Sequence, residues 1–229
     1  MKRTMPVIAC ALLTVVAPFA AIADETISFA EGQWDAAQWT PLRLPLHETL
    51  GTFVQRADSL GTDTFTDEQK KAHEDNVLLM MDSGMDEGEF EVRFRIGPEQ
   101  GTAPGVFLSP TVEGDALVSG IAVFVASYTM AAWQVSTDPE TRETNYPPLA
   151  RINRWQDPDI EHVMRIRYST ARHSMLLQID DSDVVMLTLP DFGFNSRIGI
   201  WGCHGTCDYY SVTTRSEGTL PWSAVAPEE

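Results

Sequence analysis

Glu89 and Glu91 are the carboxylates best placed to do chemistry, two positions apart in Glu89-Phe-Glu91-Val-Arg93-Phe94. In an extended chain, residues two apart share a face and lie roughly 6.6 Å apart along the strand. Two carboxyls facing one bond are what acid/base cleavage of an acetal requires. The same face, however, continues with Arg93 and Arg95, so a charge-compensated outer row is the alternative to a catalytic pair. Arg165 and Arg167 form a second Arg-x-Arg face that would join the first if their strands were neighbours. Together they would suit an acidic sugar, because guanidinium matches carboxylate in bidentate fashion. Solvated outer faces are the plainer reading, and no residue is assigned a catalytic role.

Neutral sugars are held by aromatic rings stacked on the apolar face of a pyranose, with polar donors around it. Trp133 with Gln134, Trp155 with Gln156 and Asp157, and Tyr128 flank a long segment, 137–150, rich in Pro, Thr and charge. The binding candidates are therefore Trp133, Gln134, Tyr128 and Trp155, with Arg93 and Arg165 for an acidic ligand. Trp34, Trp39 and Trp201 are assigned to packing, the commoner use of a large ring in a β layer.

The five histidines are scattered, and the sequence has no His-Glu-x-x-His, Gly-x-Ser-x-Gly or phosphate-cradling glycine loop. An acid/base pair such as His162 with Tyr168 stays open. Cys203 and Cys207 bracket a tight loop, Gly202-Cys-His-Gly-Thr-Cys207. In an oxidising compartment they are expected to form a disulfide. The alternative is a metal site with His204, but structural zinc takes four ligands and no second cluster completes the set. No metal and no cofactor is expected.

That compartment is read from the first 23 residues. Lys2 and Arg3 precede an apolar run at 6–22, and Ala21-Ile22-Ala23 offers the small-x-small pattern of a cleavage site. Residues 1–23 read as a signal peptide and 24–229 as one mature domain, periplasmic or secreted. The apolar run is too short for a stable membrane span, so no membrane attachment is expected after cleavage. Val7-Ile8-Ala9-Cys10 loosely resembles a lipobox, but the apolar residues continue well past the cysteine. With 33 acidic against 16 basic residues the formal charge is -17, a surface that repels nucleic acid.

Period-two alternation dominates the rest. Phe90, Val92, Phe94 and Ile96 share one face of a half-buried strand, and Met164, Ile166 and Tyr168 repeat the design. Further strands are expected at 52–56, 77–81, 105–109, 120–128, 132–136, 174–179, 184–189, 197–202 and 209–215, with a hairpin turn or calcium-holding cluster at Asp180-Asp-Ser-Asp183. One short helix at 67–74 follows a capping box of Thr66 and Gln69. About a dozen short strands in one domain imply an all-β sandwich of two antiparallel sheets.

The order of Phe29 to Trp39, Thr52-Phe-Val-Gln-Arg56, Phe90-Glu-Val-Arg-Phe-Arg-Ile96, Gly105-Val-Phe-Leu108, Gln178-Ile-Asp180 and Arg197-Ile-Gly-Ile-Trp-Gly202 resembles the concanavalin A-like lectin/glucanase superfamily, including its bacterial jelly-roll, sugar-hydrolase-like domains. The resemblance implies a jelly roll and a glycan or polysaccharide partner. It also provides a test, since retaining glucanases of that superfamily carry Glu-x-Asp-x-x-Glu or Glu-x-Asp-x-Glu. The nearest string here has Arg93 or Phe94 where the second carboxylate should stand. The Gln-Ile-His and Tyr-x-Lys-x-Gly strings of jelly-roll lyases do not occur. An exported carbohydrate-binding protein is the expectation, with a glycoside hydrolase, a polysaccharide lyase or an envelope interaction domain as alternatives.

Overall fold

A computed structural model describes residues 24–44, 50–71, 76–99, 101–138, 140, 141, 143–154, 156–189 and 194–223. The leader, Cys10, Trp155 and the end of the expected helix lie outside them. In chain order the strands are β1 (Glu25–Ser28), β2 (Thr40–Leu42), β3 (Val54–Gln55), β4 (Leu60–Thr62), β5 (Asn76–Asp82), β6 (Gly88–Ile96), β7 (Gly105–Glu113) and β8 (Ala116–Ala126). They continue with β9 (Thr129–Thr137), β10 (Thr144–Asn145), β11 (Pro148–Asn153), β12 (Glu161–Ser169), β13 (Ser174–Ile179), β14 (Val185–Thr188), β15 (Arg197–Cys203) and β16 (Cys207–Arg215).

Two antiparallel sheets result, each of eight strands. The first runs β14-β13-β12-β6-β16-β4-β3, with β1 also on β16; the second runs β10-β9-β8-β7-β15-β5-β2, with β11 also on β9. Alternation explains the layering. Phe90, Val92, Phe94, Ile96, Met164, Ile166 and Tyr168 point from the first sheet into a shared core, where Val106, Leu108, Ile121, Val123, Ile198 and Ile200 meet them from the second. Each such side chain contributes about 1.5–3 kcal/mol on burial. The α-helix α1 (Asp67–Lys71) starts at the expected cap: Gln69 N–H donates to Thr66 Oγ1 at 3.2 Å, and Thr66 N–H donates to Gln69 Oε1 at 2.9 Å.

Two expectations need correction. Segment 137–150 is more than a loop, because β10 and the start of β11 fold back along β9. No disulfide joins Cys203 and Cys207, contrary to expectation. The reason is alternation in β15, which puts Cys203 on the outer side with Trp201. Cys207 begins β16 and belongs to the inter-sheet core, with its sulfur 3.4 Å from Thr62 Oγ1. Burial pushes the Cys207 thiol up to about 12.

The second sheet curls over its own outer face. Between Leu108 and Val112 the β7–β8 pairing shifts register, with Ser109 at φ 53° and Gly120 at φ 155°. A Cβ on Gly120 would stand 3.1 Å from the Leu108 carbonyl oxygen, so the bend needs glycine there. The hairpin tip thereby reaches the strand at the far edge of the sheet. Arg43 N–H donates to Asp115 O, Leu117 N–H donates to Arg43 O, and Arg43 Nε lies 2.8 Å from Asp115 Oδ1. Beneath this clasp, Leu42, Leu44, Leu78, Met80, Phe107, Leu117, Ala122 and Val135 form a second, smaller apolar cluster, with Val112 and Trp201 packed against it.

Candidate functional site

Only part of the curled face is covered. Beside the clasp, Ala122, Phe124, Trp133, Tyr146 and Trp201 surround an open cavity of about 300 Å³. Register explains the assembly. Trp133 of β9 stands opposite Ala122 of β8, whose small side chain leaves the floor low. One level along, Phe124 stands opposite Gly105 of β7, and Gly105 opposite Trp201 of β15. A Cβ on Gly105 would lie 2.6 Å from the Val123 carbonyl oxygen and 2.8 Å from Phe124 Cβ. With no side chain there, Phe124 and Trp201 meet over it edge to face at 5.9 Å, while Trp133 stacks on Phe124 at 6.1 Å and 11°.

Polar groups hold these rings. Trp201 Nε1 donates to Asn76 Oδ1 at 3.1 Å. Trp133 Nε1, though buried, finds no acceptor among the described residues. Tyr146, 40% exposed, stands at the rim, where burial of its phenol outweighs a hydrogen bond with Thr144 and raises its pKa. A wall of four aromatic rings with a donor in it and no charged residue is chemically suited to a neutral ligand with an apolar face.

No family model and no curated protein matches the sequence. Solved structures do. A carbohydrate binding module from Bacillus subtilis, CBM66, superposes with a TM-score of 0.56 at 14% identity, covering 78% of this chain and 96% of that one. The exoplasmic/lumenal domain of VIP36, in a form bound to Ca²⁺ and Man3GlcNAc, superposes with a TM-score of 0.55 at 12% identity over 89% of this chain and 90% of that one. SCLam, a non-specific endo-β-1,3(4)-glucanase of family GH16, gives a TM-score of 0.55 at 12% identity over 85% and 90%. The fold is the concanavalin A-like jelly roll. At these identities the likeness carries the architecture alone.

On this jelly roll the binding candidates separate. Trp133 lines the aromatic cavity, whereas Gln134, the next residue of β9, points to the opposite side of the sheet. Tyr128, 71% exposed, occupies the β8–β9 turn and borders a separate depression of about 560 Å³ with Pro98, Glu99, Gly101 and Pro158. Gln156, beside the undescribed Trp155, is buried and lines a third cavity of about 310 Å³ with Met130, Ile152 and Ile179.

Arg93 and Arg165 lie on the outer face of the first sheet, far from the rings in topology. β6 and β12 are neighbours, so the two Arg-x-Arg faces do meet. They meet already paired. Arg93 bonds Glu161, Arg95 bonds Asp208, and Arg165 Nε lies 2.9 Å from Glu91 Oε2. Glu89 is fully buried rather than solvated. Its carboxylate accepts from Thr219 Oγ1 and N–H, both at 2.7 Å, and from Leu220 N–H at 2.8 Å.

His162 and Tyr168 do not pair either. Tyr168 donates to Met85 O at 2.6 Å, and burial raises its phenol far above the ordinary range. His162 Nδ1 lies 2.8 Å from Asp180 Oδ2 and Nε2 2.8 Å from Asp157 O. Asp180 also accepts from Val163 N–H of the neighbouring strand β12, and the expected turn between β13 and β14 is closed by Ser182 N–H donating to Ile179 O at 2.9 Å.

Trp201, Phe124 and Tyr146 were outside the expected binding set. Residues 121–126 are apolar at every position, so alternation gives no sign of which face Phe124 takes. Gly199, two residues before Trp201, gives no signal either, because Leu78 and Phe107 close over it.

Proposed function

We propose that this protein is an exported carbohydrate-binding protein that holds a neutral glycan on the aromatic face of its second sheet. The observation that carries the reading is the open wall formed by Trp133, Phe124, Trp201 and Tyr146. Trp201 packs on Phe107 at 5.3 Å, as a packing residue should, while Trp133 and Phe124 stay half-buried and Tyr146 exposed around the open side of the cavity. They offer flat apolar surface to a pyranose.

Binding without cleavage is favoured over hydrolysis because none of the five lining residues carries a carboxyl. Hydrolysis of a glycosidic bond uses two, roughly 5–9.5 Å apart. A lyase acting through arginines is disfavoured because Arg93, Arg95 and Arg165 already face carboxylates. CBM66, a carbohydrate binding module, and VIP36, in a form bound to Man3GlcNAc, supply precedent for sugar binding on this architecture. Export is supported by Lys2, Arg3, the apolar run and Ala21-Ile22-Ala23, and the acidic balance disfavours a nucleic-acid partner.

Affinity electrophoresis through gels cast with glucan, mannan, xylan or fructan tests the reading. Wild-type protein should be retarded by at least one of them, and Trp133→Ala should migrate as in a blank gel while keeping its unfolding midpoint. Equal retardation of both proteins would rule the aromatic face out.

A further inference from the structure

Residues 156–158 form a wall shared by two cavities. Gln156 lines the cavity of about 310 Å³ where the end of β11 meets β13 and β14 of the other sheet, and Pro158 lines the depression of about 560 Å³ beside Tyr128. The backbone holds this wall at each end. Gln156 N–H donates to Ser127 O at 2.7 Å, and Asp159 N–H donates to Ile96 O at 2.9 Å. Asp159 has φ 68°, in the left-handed region where a residue other than glycine sits at some cost, so the wall is held in place rather than relaxed. Between those anchors the grip comes from His162 of β12.

His162, 2% exposed, reaches the wall through Nε2, 2.8 Å from Asp157 O, and the β13–β14 turn through Nδ1, 2.8 Å from Asp180 Oδ2. Both partners are acceptors. A carbonyl has no proton to give, and the Asp180 carboxylate already accepts Val163 N–H on its other oxygen. An imidazole satisfies two acceptors at once only when both its nitrogens carry a proton, so the two contacts together specify an imidazolium. The charges around it agree. Asp180 and Asp157 act on it from the turn and the wall, Arg154 acts on Asp180 from beyond the end of β11, and β6 presents the uncharged ring of Phe94 at 5.9 Å.

Loss of one proton to solvent breaks one contact. The remaining proton stays on Nδ1, because a carboxylate is a stronger acceptor than a carbonyl. Nε2 then turns a lone pair on the Asp157 carbonyl oxygen, and the two acceptors repel. The wall loses its middle support while its ends stay bonded.

We infer that His162 is a proton-operated latch on the wall between the two cavities, closed when the imidazole is charged and released when it is neutral. Gln156 gives release a further consequence. Its Nε2 is buried beside the wall with no acceptor among the described residues, and loosening of the adjoining peptide admits water to it.

Nitrogen NMR of the imidazole and amide exchange, both followed from about pH 6 to about pH 9, test the latch. Exchange at Gln156 and Asp159, corrected for its intrinsic pH dependence, should rise about tenfold per pH unit up to the midpoint of His162 and level off above it. Val163, whose N–H stays on Asp180, should remain protected. Asp180→Asn removes the charge that favours the imidazolium and should move the histidine midpoint and the onset of exchange down together. Exchange at Gln156 and Asp159 that ignores the histidine's titration, or that rises in step with the amides of β6 and β16, would overturn the inference. So would nitrogen shifts showing a singly protonated ring at about pH 6.

Discussion

The phenol of Tyr209, rooted in β16 of the first sheet, crosses the core and meets Gly105 of the second. Its oxygen accepts from Gly105 N–H at 2.6 Å and lies 2.7 Å from the carbonyl oxygens of Gly105 and Trp201, which share its single proton. Gly105 is the floor between Phe124 and Trp201, so one buried hydroxyl fixes the height of the aromatic wall. Burial pushes the phenol pKa well above its ordinary value, which keeps the hydroxyl protonated as a donor.

Tyr209→Phe should therefore lower the unfolding free energy by about 1–3 kcal/mol, because buried backbone groups lose their partner while the ring still fills its space. Urea unfolding measures this. An unchanged midpoint would show that the hydroxyl contributes nothing to the joint between the sheets.

Glu89 should behave as a structural carboxylate. It gathers Thr219 and Leu220 against β6, with Arg215 Nη1 3.5 Å from its Oε1, while Arg167 donates to Leu220 O and stacks over Trp222 at 5.1 Å. Glu89→Ala leaves these donors unpaired in a dry site and should cost about 3 kcal/mol. Amide exchange at residues 218–222 should accelerate before the rest of the fold loosens. Uniform acceleration across both sheets would argue against a local strap.

The His162–Asp180 pair gives the fold a pH dependence of definite sign. Burial alone would lower the His162 pKa, but hydrogen bonds to Asp180 and the Asp157 carbonyl outweigh it and hold it above 6.5. Asp180, opposed by its own burial, is held below its ordinary value by His162 and the Val163 N–H. The histidine's stabilisation is complete below its unfolded value and lost as pH rises through the raised one. The aspartate's is present above its unfolded value of about 3.9 and lost in acid. The urea midpoint should fall on going from about pH 6 to about pH 9, and His162→Gln should flatten that fall. A wild-type profile as flat as the variant's would dismiss the pair.

Thiol chemistry checks the cysteines directly. Unfolded without reductant, the chain spanning residues 24–229 should titrate two thiols. Folded, its Cys207 should resist alkylation, because the sulfur is buried and its pKa is pushed up to about 12. Recovery of no thiols would restore the disulfide.

Where burial is one-sided, the fold was legible in the sequence. Phe90, Val92, Phe94 and Ile96 alternate with charge, and β6 forms with those four inward. The site was less legible because both faces of β8 are apolar, one turned to the core and the other to the cavity, and composition cannot separate them. The arginine faces would meet only if their strands were neighbours, which sequence leaves open and the β6–β12 pairing provides, and the carboxylates that neutralise them include Glu161 of β12 and Asp208 of β16, visible only through register. The cysteines misled for a related reason: four residues of separation is short along the chain, yet the loop between them passes from one sheet to the other.

The clasp at Arg43 divides the labour of one face between two purposes. Its shut half can drift only as a hydrophobic interior drifts, through volume-conserving exchanges, whereas Trp133, Phe124 and Tyr146 border open space and can be replaced with little effect on the frame. Exchanges at those rings would reshape the cavity while the two sheets that carry it stay as they are.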